Sequence, residues 1–193
     1  MEIYQPSDDS YLLAEEVKKY LILVLNKNRD KNKNITQDFK ILDMGSGSGI
    51  QAETCKRTGF DNIICADINP YAVDHLKKQG FKAVKTDLFL DLNPKTKFDL
   101  IIFNAPYLPE DKREPKDSRP NTTAGEQGYE IINAFLEQAK PRLNPNAIIL
   151  LLFSSLSQPR IIINKAKELG YNKKLLSSKR LFFEELYVYE FKL

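Results

Sequence analysis

Apolar and polar positions in this chain follow two rhythms that take turns along it. Behind Ser7-Asp8-Asp9, which offers a helix N-cap and first-turn acids, Leu12, Leu13, Val17, Tyr20, Leu21 and Val24 recur at helical spacing. They predict an amphipathic first helix. Short apolar runs then predict strands at residues 40–43, 62–66, 83–86, 99–103 and 147–153, with a final pair at 174–178 and 185–191. Helical stretches fall between them at 49–58, 70–79, 131–140 and 158–169. Such alternation predicts an α/β fold with a mainly parallel sheet. The third strand, Ala83-Val84-Lys85-Thr86, is short and polar enough for a sheet edge. The 193 residues suit a single domain over 1–193.

Composition narrows the class. A hydrophobic content of 42% and a charged content of 28% fit a soluble globular chain. No apolar stretch approaches the roughly 20 residues of a membrane helix, and Met1-Glu2-Ile3-Tyr4-Gln5-Pro6 has no leader pattern. A cytoplasmic location and no membrane partner are expected. A net charge of +3 permits a nucleic-acid partner without favouring one, because dedicated duplex binders carry a stronger basic stripe. Residues 26–34, rich in Lys and Asn, read as a solvated loop or a basic contact patch. Cys55 and Cys65 have no metal or redox spacing, and His75, the one histidine, lies in a charged helical stretch. No metal site is expected within the chain.

The strand ends carry the chemistry, since open α/β sheets bind ligands beyond the carboxyl ends of their strands. The first strand runs into Ile41-Leu42-Asp43-Met44-Gly45-Ser46-Gly47-Ser48-Gly49, which opens a helix. Missing β-carbons at Gly45, Gly47 and Gly49 let backbone approach a ligand closely. The spacing is G-x-G-x-G, unlike the G-x-G-x-x-G of dinucleotide folds. Asp43 suits an α-ammonium group, directly or through water, and would repel a pyrophosphate. Asp67 ends the second strand, where a carboxylate can accept both hydroxyls of a ribose. Asp87 follows the third strand; its side chain can accept from an adenine amino group, while Leu88 supplies a backbone N–H and apolar contact. Alone, each acid could be a cap or loop residue. Three at successive strand ends beside a glycine loop point to a nucleoside-bearing cofactor. The fourth strand ends in Asn104-Ala105-Pro106-Tyr107, an amide, a Pro-restrained turn and an aromatic suited to holding a planar amide or amino group.

This set resembles the class I S-adenosylmethionine-dependent methyltransferases, and Asn104-Ala105-Pro106-Tyr107 resembles the Asn/Asp-Pro-Pro-Tyr/Phe motif of their amino- and amide-nitrogen branch. Tyr4-Gln5-Pro6-Ser7-Asp8-Asp9-Ser10-Tyr11-Leu12-Leu13 is similar to the opening of the HemK-like glutamine methyltransferases of eukaryotes and archaea. Thr123-Ala124-Gly125-Glu126-Gln127-Gly128 and Glu185-Leu186-Tyr187-Val188 resemble later segments of that family. Ala105 stands where the family has a proline and Glu126 where it has a glycine.

The resemblance implies a Rossmann-like sheet of seven strands, mainly parallel, with helices on both faces and an antiparallel last strand. It implies S-adenosyl-L-methionine as cofactor, held by Ser10, Asp43, Gly45, Gly47, Asp67, Asp87, Leu88 and Asn104. The implied reaction is methylation of the glutamine of the Gly-Gly-Gln motif in a class 1 translation termination factor. Asn104 and the Ala105 carbonyl would clamp the accepting NH2, with Pro106 restraining the turn and Tyr107 walling the pocket. N6-adenine methylation of DNA or RNA and protein-lysine methylation are the alternative activities. A non-enzymatic cofactor-binding module is a further alternative, against which the acids and Asn104 argue. The resemblance also implies a small zinc-binding activator protein in a heterodimer. The third strand offers it an edge with Phe81, Ala83 and Val84, although Lys82 and Lys85 equally suit a charge-protected edge. Residues 110–121 read as a solvated loop or as a substrate-recognising lid.

Overall fold

Alternation of side chains along the central strands builds two apolar layers, one on each face of a sheet. The computed structural model describes residues 3–28, 35–107 and 127–193. Among these, seven strands form one sheet: β1 (Ile41–Met44), β2 (Ile63–Asp67), β3 (Lys82–Lys85), β4 (Phe98–Asn104), β5 (Leu143–Ser154), β6 (Asn172–Arg180) and β7 (Glu185–Lys192). Their order is β3-β2-β1-β4-β5-β7-β6, so β3 is an edge, as its polarity predicts. The β1–β2, β1–β4, β2–β3 and β4–β5 pairs are parallel, and β7 is antiparallel to both neighbours. This is the Rossmann-like arrangement implied above. The predicted strands all form, most of them longer by one to four residues at an end.

Among the described residues, six α-helices accompany the sheet: α1 (Asp8–Lys27), α2 (Ile35–Asp38), α3 (Ile50–Arg57), α4 (Pro70–Lys78), α5 (Glu130–Ala139) and α6 (Pro159–Glu168). Leu42, Met44, Ile101, Phe103, Ile149 and Leu151 pack with Phe135 of α5 and Ile162 of α6. Their immediate neighbours in sequence, Ile41, Leu100, Ile102, Ile148 and Leu150, pack on the other face with Leu13, Val17 and Leu21 of α1 and with helices α3 and α4. Central strands buried on both faces read as continuous apolar runs, which is why they were visible in the sequence.

Two local expectations change. Ser7 occupies the N-cap position of α1, but its side chain makes no capping hydrogen bond. The first-turn amide of Ser10 donates instead to Asp9 Oδ1, at 2.6 Å. The short α2 falls where no element was expected. Residues 29–34 lie outside the described residues, so the loop-or-patch question about 26–34 is met only at its flank, where α1 runs to Lys27. No helix among the described residues is long and apolar enough to cross a membrane.

Gly49 shows why a glycine stands before α3. Its φ is +87°, and a Cβ there would lie 2.7 Å from Leu76 Cδ2 of α4. Gly59 and Gly80 share the left-handed backbone, at φ +96° and +84°, but a Cβ at either would meet nothing within 4 Å. Gly49→Ala is therefore expected to destabilise the protein by about 2–4 kcal/mol, and Gly59→Ala or Gly80→Ala by about 1 kcal/mol. Chemical denaturation of the three variants measures the difference. Equal losses would show that backbone conformation, and not the fit of α3 against α4, selects Gly49.

Candidate active site

Sheet register explains why residues far apart in sequence meet. Asp43 pairs with Cys65 on one side and with Ile102 on the other. Side chains two residues apart along a strand share a face. Asp67 and Asn104 therefore stand on the same face as Asp43, one pleat further toward the carboxyl ends and on either side of β1. Strand β1 stops at Met44, and the glycine loop turns through the gap between them. The result is a cavity of about 300 Å3, lined among others by Tyr4, Ser10, Gly47, Asp67, Leu88 and Asn104.

The loop is stapled to β2. Ser46 Oγ donates to the Asp43 carbonyl at 2.6 Å and accepts from Ala66 N at 3.1 Å, while Ser46 N donates to the Ala66 carbonyl at 3.2 Å. Gly47 N donates to Asp67 Oδ2, and Asn69 N to Asp67 Oδ1, each at 2.8 Å. Each oxygen of Asp67 thus keeps a lone pair directed elsewhere, as a diol acceptor needs. Burial raises the Asp67 carboxyl above the usual range, opposed by these backbone N–H groups. Gly45 and Gly47 both line the cavity. At Gly45, however, a Cβ would lie 3.1 Å from the Phe103 ring on a backbone at φ +60°, so packing and backbone conformation within the protein, and not ligand approach alone, favour glycine there.

Asp43, expected to serve an ammonium group directly or through water, lies behind the glycine loop. It is 1% exposed, it is not part of the cavity wall, and its Oδ2 accepts from Ala52 N of α3 at 3.2 Å. Burial pushes its carboxyl up to about 7, with the neighbouring Asp67 charge adding to the rise and the Ala52 N–H opposing it. The wall position is taken by Gln51, which sequence reasoning missed. Gln51 Nε2 donates to the Ser10 carbonyl at 2.9 Å, which leaves its buried Oε1 with no hydrogen-bond partner. That acceptor suits an ammonium group.

The acceptor end is built on Asp9, also missed. Its Oδ1 accepts from Ser10 N at 2.6 Å and Ser10 Oγ at 3.1 Å; its Oδ2 accepts from Tyr4 O–H and Asn104 Nδ2, each at 3.0 Å. A carboxylate only accepts, so the Asn104 NH2 must face it. Asn104 Oδ1 is then buried, turned away from Asp9, and without a hydrogen-bond partner. Ser10 Oγ also accepts from Asn104 Nδ2 at 3.5 Å, so Ser10 supports this orientation as well as lining the cavity. Ala105, Pro106 and Tyr107 line the same end. Burial raises the phenols of Tyr4 and Tyr107, with Asp9 adding to both, so each stays protonated.

The segment after β3 is fixed by hydrogen bonds from two residues. Thr86 Oγ1 donates to the Leu88 carbonyl at 3.1 Å and accepts from Asp91 N at 3.0 Å. Arg142, 9% exposed, donates from Nη1 to the Asn93 carbonyl at 2.6 Å and from Nη2 to the Phe89 carbonyl at 3.4 Å. Leu88 is held at φ +48°, an uncommon conformation for a side-chain-bearing residue, where it and Asp87 line the cavity. The strained backbone and the buried arginine, which has no acidic partner among the described residues, are visible only in three dimensions. The residues 108–126, which include the expected lid and most of the segment 123–128, lie outside the described residues.

The donor set fits a nucleoside carrying an amino-acid moiety. Asp67 offers paired acceptors, Gln51 Oε1 and Asn104 Oδ1 are unpartnered acceptors, and Asp87 and Leu88 line the same cavity.

Comparison with known proteins agrees with this chemistry. Residues 9–173 match the family model described as "Methyltransferase domain". The chain is 34% identical, over 97% of its own length and 90% of the relative's, to a Methanocaldococcus jannaschii protein provisionally named a protein N5-glutamine methyltransferase. It is 29% identical to the release factor glutamine methyltransferase of Pasteurella multocida over 76% of this chain, and spans about half (54%) of that relative's length. Among solved structures, the E. cuniculi Mtq2-Trm112 complex, described as responsible for methylation of the eRF1 translation termination factor, aligns over 100% of this chain and 99% of the matched chain. The TM-score is 0.72 at 22% identity. The T. thermophilus 16S rRNA N2 G1207 methyltransferase, solved with AdoMet and guanosine, aligns over 98% of this chain and 44% of its own, with a TM-score of 0.63 at 17% identity. At these identities the solved structures share the fold.

Asp43 supplies a pH test of the buried site. Its folded carboxyl titrates near 7, above its unfolded value, so the fold prefers the protonated form. The stability this contributes is fully present below about pH 4 and is lost as pH rises through about 7. Asp43→Asn, which resembles the protonated acid, is expected to stabilise the ligand-free protein by about 1–3 kcal/mol at pH 8 and by little at pH 4. Thermal unfolding at both pH values reads this directly. A loss of stability at pH 8 would show that Asp43 is ionised without cost in the fold.

Proposed function

We infer that this chain, which belongs to the methyltransferase-domain family and shares the protein N5-glutamine methyltransferase branch with its archaeal relative, methylates a glutamine side chain. S-adenosyl-L-methionine is the cofactor and supplies an electrophilic methyl group. The substrate is the glutamine of the Gly-Gly-Gln motif in a class 1 translation termination factor, methylated in the cytoplasm. One observation carries the reading: Asn104 presents an unpartnered buried Oδ1 at the acceptor end of the cavity while Asp9 holds its Nδ2.

A carboxamide nitrogen is a weak nucleophile because its lone pair is delocalised into the carbonyl. Among the described residues lining the cavity there is no histidine or lysine to act as a base. Asp9 is already occupied by four donors. Positioning is the available lever, and orientation alone can supply about 7–11 kcal/mol. Asn104 Oδ1 and the Ala105 carbonyl each accept one N–H of the substrate NH2, which fixes the amide plane. Both acceptors also stabilise the positive charge that grows on nitrogen as the C–N bond forms. The surplus proton leaves to solvent after transfer, so no strong base is needed. Pro106 restrains the turn, and the Tyr107 and Tyr4 rings exclude water. On the cofactor side, Asp67 holds the ribose hydroxyls, Asp87 and Leu88 the adenine, Gly45 and Gly47 let the chain pass closely, and Gln51 with Asp43 behind it receives the ammonium group.

A small zinc-binding activator protein pairs with the free edge of β3. Ala83 is buried and Val84 half-buried there, while Lys82 and Lys85 are exposed. Phe81 is covered by Lys56, whose Nζ lies 5.2 Å from the ring centroid. Pairing would satisfy the open backbone groups of that edge. The solved structure of Mtq2 in complex with Trm112 supports a small partner for this chain.

Labelled cofactor, offered with a termination factor, a lysine-bearing protein and oligonucleotides, is expected to label only the factor, and its hydrolysate to contain N5-methylglutamine. Label on lysine or on adenine would refute the reading. Asn104→Ala is expected to reduce kcat at least about 100-fold with an unchanged circular dichroism spectrum. Ala105→Pro keeps the carbonyl and is expected to retain activity.

A further inference from the structure

The turn between β6 and β7 holds two neighbouring phenylalanines in solvent. Phe182 is 91% and Phe183 86% exposed. Their ring centroids are 4.6 Å apart in an edge-on arrangement, so they form one apolar knob. The knob has a rigid base, because Leu181 N donates to the Glu184 carbonyl at 2.8 Å across the turn. Exposing two adjacent phenylalanines at a fixed tip has no folding benefit, and such patches mark interaction sites.

Contacts place this tip beside the acceptor end of the cavity. Glu185 N donates to Ser155 Oγ at 3.0 Å just after β5, and in the same turn Ser157 Oγ donates to the Tyr107 carbonyl at 3.1 Å. Lys179 Nζ pairs with Asp8 Oδ1 at 3.0 Å, next to the Asp9 that holds Asn104. The charge of Glu184 is felt by the phenols of both Tyr4 and Tyr107. Glu184 Oε2 is itself buried with no hydrogen-bond partner.

We propose that the Phe182–Phe183 knob, with Arg180 beside it and the unpartnered Glu184 Oε2 at its base, docks the folded part of the termination factor that carries the accepting glutamine. This rests on the protein-glutamine reading of the same site. A macromolecule that inserts a side chain at Asn104 must cover the surface around the cavity mouth, and the knob stands on that surface. The complementary surface is an apolar socket with an acidic rim. Charge supports this side of the match, since Arg180 is exposed at the end of β6 next to the knob. Glu184 Oε2 would accept an N–H from the backbone beside the socket, which completes an acceptor that is otherwise buried without a partner. Aromatic anchors of this kind carry much of the energy of protein interfaces.

The experiment compares the unaltered chain with Phe182→Ser/Phe183→Ser and with Arg180→Glu, each with any activator subunit it purifies with. It measures kcat and KM for an intact class 1 termination factor, and cofactor affinity by calorimetry. The expected result for the double variant is a KM for the factor at least tenfold higher, with kcat within twofold and cofactor affinity unchanged. Arg180→Glu is expected to raise KM severalfold, with the effect shrinking as salt rises. An unchanged KM in the double variant, while the unaltered chain methylates the factor, overturns the docking surface and leaves the glutamine reading intact. No methylation of the factor by the unaltered chain overturns both. Loss of a dimer in sedimentation would reassign the knob to a contact between copies of this chain. Loss of cosedimentation with anionic phospholipid vesicles would reassign it to a membrane surface.

Discussion

The Asp9 carboxylate accepts four hydrogen bonds and is 3% exposed. One of them comes from Asn104, which lies 95 positions away in sequence. This contact ties the start of α1 to the end of β4 and decides which way an amide faces. A neutral hydroxyl or amide at position 9 would tolerate either orientation of Asn104. A carboxylate tolerates one, and that one leaves Oδ1 free to accept from a substrate. The remaining parts of the site follow from the same join. Tyr4 is held over the cavity by its bond to Asp9, Ser10 is set against Asn104, and the Ser10 carbonyl fixes Gln51 on α3. Helix α1 thus carries one wall of the candidate site, and its apolar face, Leu13, Val17 and Leu21, locks it to the sheet that carries the rest.

The same site stores unfavourable electrostatics. The Asp67 charge is felt at Asp43, and burial raises both carboxyls. Backbone N–H groups of Gly47, Asn69 and Ala52 offset part of this cost. A ligand that brings positive charge and hydroxyl donors would offset more of it. Binding and folding therefore pull in opposite directions at these positions, a common trade at functional sites.

Much of this was legible in the sequence, for identifiable reasons. Strands buried on both faces announce themselves as apolar runs, so β1, β2, β4 and β5 were placed within a few residues. Residues at strand ends, Asp67, Asp87 and Asn104, follow from the strands, and the polarity of Lys82-Ala83-Val84-Lys85 marked β3 as an edge. What escaped depends on contacts between distant segments. Nothing local distinguishes Asp9 from the other acids of the first turn, or Gln51 from any helical glutamine. Arg142 reads as a surface cation, yet it is buried against three carbonyls, those of Phe89, Leu92 and Asn93. Asp43 was rightly placed at the strand end, but its depth behind the glycine loop depends on the packing of α3. Gly49 looked like part of a ligand cradle, and its nearest neighbour is Leu76.

The central claim is that Asp9 acts through Asn104. A double-mutant cycle tests it most directly, with kcat measured on a termination factor for Asp9→Asn, Asn104→Ala and the combination. If Asp9 serves to orient Asn104, removing the amide already removes that benefit, and the double variant is expected to be no slower than Asn104→Ala alone. Losses that multiply in the double variant would contradict the account, because Asp9 would then act on the reaction independently of Asn104.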